Sequence, residues 1–314
     1  MFKTLASTED MPYEDWLEYR RMGIGGSDAS VVCGISQYKS PVELWMEKTG
    51  QMPDSESGEP AYWGTVLEEI VKSEFVKRTG IEVFPVRSIL QSEEQDFMLA
   101  NLDGVCEHPE YGTCVFEAKT ASAFLAGSWK DMDIPDSYLL QCAHYMAVTG
   151  YKGAYIAVLI GGNTFKWKFC KRDDELIELL IRLEADFWKH VQEGTPPPLD
   201  GSDASAEFLN KRFPDSIPLS KIELPEEAAA LIQQFDAACE QLEIINAQKQ
   251  YAENLLKQMI GENEAGSIGD RLISWRNVTT ERLDSKSLRA EFPALYRKFS
   301  NKTSHRRFSV KSAS

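Results

Sequence analysis

The apolar run Met98-Leu99-Ala100-Asn101-Leu102 ends at Asp103-Gly104, and a second run, Thr113-Cys114-Val115-Phe116-Glu117-Ala118-Lys119-Thr120, follows it. Both have the composition of strands, and Glu107-His108-Pro109-Glu110-Tyr111-Gly112 between them reads as a turn. Side chains alternate along a strand, so Glu117 and Lys119 share one face while Ala118 points away. Pairing the two runs as a hairpin brings Asp103 beside Glu117. Two carboxylates crowded together are unfavourable unless a cation neutralises them, and Mg²⁺ prefers such oxygen ligands, with Mn²⁺ the alternative. The set suits metal-assisted hydrolysis of a phosphodiester. An Asp-Gly turn followed by an ordinary solvated Glu-x-Lys face has the same letters, so other segments must decide between the two.

Composition narrows the setting. With 314 residues, 43% of them hydrophobic, the chain can build a large core. No apolar run reaches the roughly 18 residues of a membrane span. The N-terminal residues Met1–Asp10 lack the apolar centre of a signal peptide, and a cytoplasmic protein is expected. Six scattered cysteines without a C-x-x-C pair read as free thiols, with Cys114 and Cys170 in the core. The net charge of −15 disfavours nucleic acid on its face, but eleven basic residues against four acidic ones from Asp270 onward give that tail +7. A local basic track can hold DNA where the whole surface does not.

Helices and strands alternate up to Pro196-Pro197-Pro198. Helices are expected from Pro41, near Trp63–Arg78, over Asp136–Thr149 and over Asp173–Gln192. Strands are expected near Ile81–Phe84, Ser88–Gln91, Met98–Leu102 and Thr113–Thr120, with a hairpin of Ala154–Ile160 and Thr164–Cys170 around Gly161-Gly162-Asn163. The division expected is a first domain over 1–200, a linker over 201–222, an amphipathic helix over 223–262 and a basic appendage over 263–314. In the helix, Leu224, Ala228, Leu231, Phe235, Ala238, Leu242, Ile245, Ala252, Leu256 and Met259 fall in steps of four and three, with Lys249 in the one remaining place. A helical hairpin, docking on the core and self-association all account for that pattern.

Three further elements carry polar groups. Glu68, in Trp63-Gly64-Thr65-Val66-Leu67-Glu68-Glu69, sits at the edge of the buried face of its helix, where it is either a third carboxylate for a metal or an ordinary surface Glu. Gln141 and Tyr145 are spaced i, i+4 and lie on one helix face, able to hold a phosphate or orient a ligand. Arg20-Arg21-Met22-Gly23-Ile24-Gly25-Gly26-Ser27-Asp28 lets backbone N–H groups approach an anion, with Arg21 and Ser27 completing a phosphate pocket; a glycine turn capped by Ser27 or Asp28 is the structural alternative. The P-loop pattern is absent.

In order and spacing, these segments resemble the YqaJ-like viral recombinase family, relatives of phage lambda exonuclease in the PD-(D/E)xK nuclease superfamily. The resemblance covers roughly residues 15–195. It implies an α/β (α+β) fold, a restriction-endonuclease-like central mixed sheet flanked by helices, with the heptad helix and a small basic α/β appendage added behind it. It implies a Mg²⁺-dependent 5′-to-3′ exonuclease on linear double-stranded DNA, active in phage-type recombination with a single-strand annealing protein as partner. Carried onto this chain, Glu68, Asp103, Glu117 and the Ala118 carbonyl hold metal, Lys119 positions or deprotonates water, Gln141 and Tyr145 hold the scissile strand, and Arg21 and Ser27 take a 5′-phosphate. A DNA endonuclease on the same scaffold and a non-catalytic DNA-binding scaffold are the rival functions. Homo-oligomerisation and the role of 201–314 stay open, and no membrane partner is expected.

Overall fold

A computed structural model describes residues 1–52, 58–132, 134–301 and 305–311. The chain divides into two units, Met1–Arg212 and Phe213–Ser314. The first unit runs β1 (Phe2–Ser7), α1 (Tyr13–Arg21), α2 (Ala29–Val32), α3 (Pro41–Lys48), α4 (Glu59–Thr79), β2 (Val83–Phe84), β3 (Ser88–Ser92), β4 (Leu99–Ala100), β5 (Gly104–His108), β6 (Gly112–Ala121), α5 (Asp136–Thr149), β7 (Gly153–Ile160), β8 (Thr164–Lys171), α6 (Asp174–Glu193) and α7 (Asp203–Arg212). Short 3-10 segments occupy Gly26–Asp28 and Ala123–Met132.

The mixed sheet flanked by helices is present. Its strand order is β2-β5-β6-β7-β8; β6 and β7 are parallel and the other neighbours antiparallel. β6 separates the two sides of the core by alternation. Phe116 faces Val71 and Phe75 of α4, together with Cys106, Cys114 and Tyr155. Val115 faces the opposite layer, where Ala154, Ile156 and Val158 of β7 meet Cys142, Ala143 and Met146 of α5. Burying a phenylalanine such as Phe75 or Phe116 contributes about 1.5–3 kcal/mol. α4 and α5 both end on glycines, Gly80 and Gly150, at φ 72° and 74°, where a side chain would be strained. α3 opens as its sequence suggests, with Ser40 accepting the Glu43 N–H and Pro41 in the first turn.

Two expectations change. Met98–Leu102 does not pair with β6: only Leu99–Ala100 is strand, β4, and it joins a separate three-stranded sheet in the order β1-β3-β4. The partner of β6 is β5, whose Glu107 and His108 lie inside the stretch read as a turn; the turn itself is tighter, with His108 opposite Gly112. Within the stretch read as a linker, α7 is a helix that buries Ala204, Ser205 and Phe208.

The second unit consists of α8 (Glu227–Ile260), a hairpin of β9 (Ala265–Ile268) and β10 (Arg271–Ser274), α9 (Ser285–Glu291) and α10 (Pro293–Phe299). Lys302 of the basic tail lies outside the described residues. The cysteines are free thiols, with Cys114 and Cys170 buried. Among the described residues, no helix is long and apolar enough to cross a membrane.

Candidate active site

Asp103 enters the sheet one residue before the β5–β6 ladder, which begins with Gly104 opposite Phe116. That register sets it beside Glu117, so the juxtaposition expected from sequence is achieved through a different strand. Asp103 Oδ2 accepts the Ala118 N–H at 2.8 Å, fixing the carboxylate to the strand that carries the other two groups. Glu117 is 2% exposed. Its Oε1 accepts from Lys119 Nζ at 2.6 Å and from Gln141 Nε2 at 2.6 Å. Its Oε2 is buried with no hydrogen-bond partner. Gln141 also donates to the Tyr145 hydroxyl at 3.1 Å. Gln141 and Tyr145 thus share a helix face as their spacing requires, and here they brace Glu117. Lys119 Nζ lies over the Tyr138 ring, 5.1 Å from its centre.

Glu68 of α4 lines the same groove of about 700 Å³ as Asp103, Glu117, Lys119 and Gln141. Glu69 projects away and pairs with Lys72. Burial, then the charge of Asp103, pushes Glu68 up to about 7. The same two causes push Glu117 up to about 8 against the opposing pull of Lys119. Burial also raises Asp103, with Lys119 and the Ala118 N–H working the other way. Burial lowers Lys119, but Glu117 and Asp103 outweigh it, and the ammonium is held above its ordinary value. All three carboxyl groups are made weaker acids by burial, and Glu68 and Glu117 also by the charge of Asp103, an arrangement that a cation would relieve.

The donor set fits a hard divalent ion. All the free donors are oxygens, and a buried Glu117 oxygen without a partner points to a missing ligand. The side chains are not already drawn into a closed cage: among the described residues, no three His, Cys, Asp or Glu side chains are gathered in metal-binding geometry. Mg²⁺ commonly keeps several waters and uses only one or two carboxylates, so two of these side chains make a sufficient protein donor set.

The glycine loop lines the same groove through Gly25, Gly26 and Ser27. A Cβ on Gly26 would come within 2.5 Å of the Tyr145 ring, so this position accepts only glycine without displacing the residue that braces Gln141. Arg20, rather than Arg21, reaches Ser27: its Nη2 donates to Ser27 Oγ at 3.0 Å and to Asp28 Oδ1 at 3.1 Å. Arg21 lines a neighbouring cavity of about 500 Å³. Asp28 Oδ2 accepts from the Gly25 N–H at 3.0 Å and from Lys48 Nζ at 2.7 Å, and Lys48 also donates to the Arg20 carbonyl at 2.7 Å. Burial would raise Asp28, but Lys48 and Arg20 outweigh it and hold the carboxyl well below the usual carboxylate range. Arg20, Asp28 and Lys48 leave one net positive charge behind Ser27. Sequence reading missed Arg20, Lys48 and Asn101, the last with a buried, unpartnered Oδ1 on the same groove. The Asn101-x-Asp103 alternation was the available signal for it.

A mixed sheet that gathers Asp103, Glu117 and Lys119 on the wall of one groove has the arrangement of the PD-(D/E)xK class. A family model described as the YqaJ-like viral recombinase domain matches residues 15–152. The uncharacterized protein YqaJ of Bacillus subtilis (strain 168) is 42% identical over 316 residues, covering 99% of this chain and 98% of its own length. The chain belongs to the YqaJ-like viral recombinase family. Among solved structures, LHK-Exo in complex with dAMP aligns over 63% of this chain and 97% of its own at 19% identity, with a TM-score of 0.49. LHK-Exo described as an alkaline exonuclease from Laribacter hongkongensis aligns over the same shares at 17% identity and a TM-score of 0.47. A phage-related exonuclease from Haemophilus somnus 129PT aligns over 57% of this chain and 99% of its own at 12% identity and a TM-score of 0.42.

Proposed function

We propose that this chain is a DNA exonuclease that hydrolyses phosphodiesters at the Asp103–Glu117–Lys119 centre, working from 5′-phosphorylated ends of linear duplex. One observation carries the reading: a buried Glu117, one oxygen bound to Lys119 and the other without a partner, shares its groove with the hydrogen-bonded Arg20 and Ser27. Mg²⁺, held by Asp103 and Glu117 with Glu68 and the Ala118 carbonyl within the same wall, would supply Lewis acidity and an acidified water. Lys119 is held charged by its neighbours, which suits it to orient the attacking water and stabilise the phosphorane by hydrogen bonding rather than to remove a proton. Gln141 orients Glu117, and Tyr145 orients Gln141. Arg20 and Ser27 take the terminal 5′-phosphate, which would register the first phosphodiester over the carboxylates and set the 5′-to-3′ direction. The surviving 3′ tail is the substrate a single-strand annealing protein would coat during phage-type recombination.

The test is digestion of linear duplex labelled at one 5′ or one 3′ end, with Mg²⁺, beside covalently closed circles. Early release of 5′ label with circles spared is the expected result. Nicked circles would make the chain an endonuclease on the same scaffold, and no Mg²⁺-dependent cleavage of either substrate would make it a non-catalytic DNA-binding scaffold.

A further inference from the structure

α8 spans 34 residues, and Ile260 at its end is its one buried residue. A helix of this kind gains most of its stability from packing an apolar face, yet Leu231 is 64% exposed, Leu242 58%, Ile245 59% and Met259 79%. The heptad spacing runs without a skip from Leu224 to Met259. A strict seven-residue repeat drifts by about 20° per heptad on a straight helix, so the seam stays in register only against a second helix that supercoils with it.

We propose that α8 pairs with α8 of a second copy of this chain as an antiparallel coiled coil, in full overlap. In such a pair the two seam positions of one helix face the opposite kind on the other. With the helix midpoints superposed, Phe235 meets Ala252 of the second copy, Met259 meets Ala228, and Lys249 meets Ala238. Leu242 meets Ile245, and Leu231 meets Leu256. Each bulky end residue finds a small one, the centre is aliphatic, and Lys249 lies over an alanine with room to reach solvent. A parallel pair in register would instead set Lys249 on Lys249, Phe235 on Phe235, and leave Ala238 and Ala252 facing themselves across hollow layers. The flanks favour self-pairing as well. Gln234, Gln241 and Gln248 border the seam on one side, and Ile232, Cys239 and Asn246 on the other, so two identical helices meet without like charges opposed. Phe308 touches Phe235 at 5.8 Å between ring centres, which covers one rim of one layer; Phe235 is still 41% exposed.

The full-length chain is studied by sedimentation equilibrium at micromolar concentration, with circular dichroism to confirm helix content. Leu242→Asp with Ile245→Asp should halve the mass and raise the dissociation constant at least 100-fold. A wild type that is already a single chain, or a mass unmoved by the double substitution in a folded variant, overturns the proposal. Orientation is read in a Cys239→Ser background by mixing Ala238→Cys and Lys249→Cys chains with a short bis-maleimide. Links between the two different variants are expected. Links that join two Ala238→Cys chains to each other would mean a parallel pair and overturn the register. None of these measurements depends on nuclease activity.

Discussion

The two units of this chain treat their awkward groups in opposite ways. The first unit buries charge and surrounds it. Glu117, Asp28, Lys48 and the His144–Glu184 pair are all nearly or wholly inaccessible, and each is tied to named partners. His144 donates one ring nitrogen toward Glu184 at 2.8 Å and the other to the Leu99 carbonyl at 2.8 Å, pinning the segment that leads to Asp103. The second unit leaves apolar surface uncovered along a whole helix. Buried charge is unfavourable unless its surroundings are built for it, and such building is concentrated where chemistry is done. Uncovered apolar surface is unfavourable in water, and its remedy lies in another molecule. The first unit answers its buried charge with its own side chains; the second leaves the α8 seam open to water.

The sharpest way to break this comparison is Lys119→Met. If the ammonium stabilises the transition state, single-turnover cleavage should fall on the order of 10³-fold while DNA-end binding by fluorescence anisotropy stays within a factor of a few. Retained turnover would reduce Lys119 to a counter-charge for Glu117. Next in size is Asp28→Asn, which leaves Lys48 buried without its carboxylate. Removing one partner of a buried pair costs about 3–5 kcal/mol, read in denaturant melts. A loss below about 1 kcal/mol would show that the charge behind Ser27 is not held as described. Arg20→Ala should lower the preference for 5′-phosphate over 5′-hydroxyl ends by about 10–100-fold, the value of a charge-assisted hydrogen bond. The same substitution at Arg21 should not change that ratio, and a change there would restore the residue first expected from sequence.

The site's pH response follows from the same burial. Glu117 sits at about 8 and Glu68 at about 7, against an ordinary 4.5. A carboxyl whose folded value is raised stabilises the fold while protonated, and that contribution is lost as pH rises from the unfolded value through the folded one. The metal-free protein should therefore melt at lower temperature as pH goes from about 4.5 to about 8. Asp103, Lys119 and Lys72 face the same carboxyls and set how far the values move. Mg²⁺ should reverse the trend, because only the ionised carboxylates bind it, and its affinity by calorimetry should climb through about pH 7–8. A flat affinity over that range would remove Glu68 and Glu117 from the ligand set.

What the sequence made legible was mostly local. Alternation put Glu117 and Lys119 on one face, and an i, i+4 spacing put Gln141 with Tyr145, because those relations lie within one element. The strand that pairs with Glu117's strand was not legible. Val105 and Cys106 are good strand residues, but Glu107, His108 and Pro109 beside them look like a turn, and β4 is drawn to β3 in a sheet whose far edge is the N-terminal β1. That competition spans most of the unit. The choice between Arg20 and Arg21 was not legible either. Adjacent residues on a helix point about 100° apart, and which one faces Ser27 is fixed by Lys48 and Asp28, contacts that arise only in the folded chain.

The smallest expected effect asks whether the two units differ in DNA contact as they do in burial. From Asp270 onward the second unit carries an excess of basic residues, balanced by the acidic stretch before it, and Arg297 and Lys298 lie in the last turn of α10. Each phosphate contact removed lowers the steepness of affinity against salt by about 0.9 in the logarithmic slope. Arg297→Ala with Lys298→Ala should therefore flatten the slope by about 1–2 on long duplex and leave it unchanged on a short duplex that only fills the groove. Melting temperature should hold, because neither residue is buried. A slope unchanged on both substrates would confine DNA to the first unit and leave the basic tail, like the α8 seam, to protein contacts. A slope reduced equally on both would mean that even a short end touches the tail, and the division of labour between a charged groove and an apolar helix would be the weaker for it.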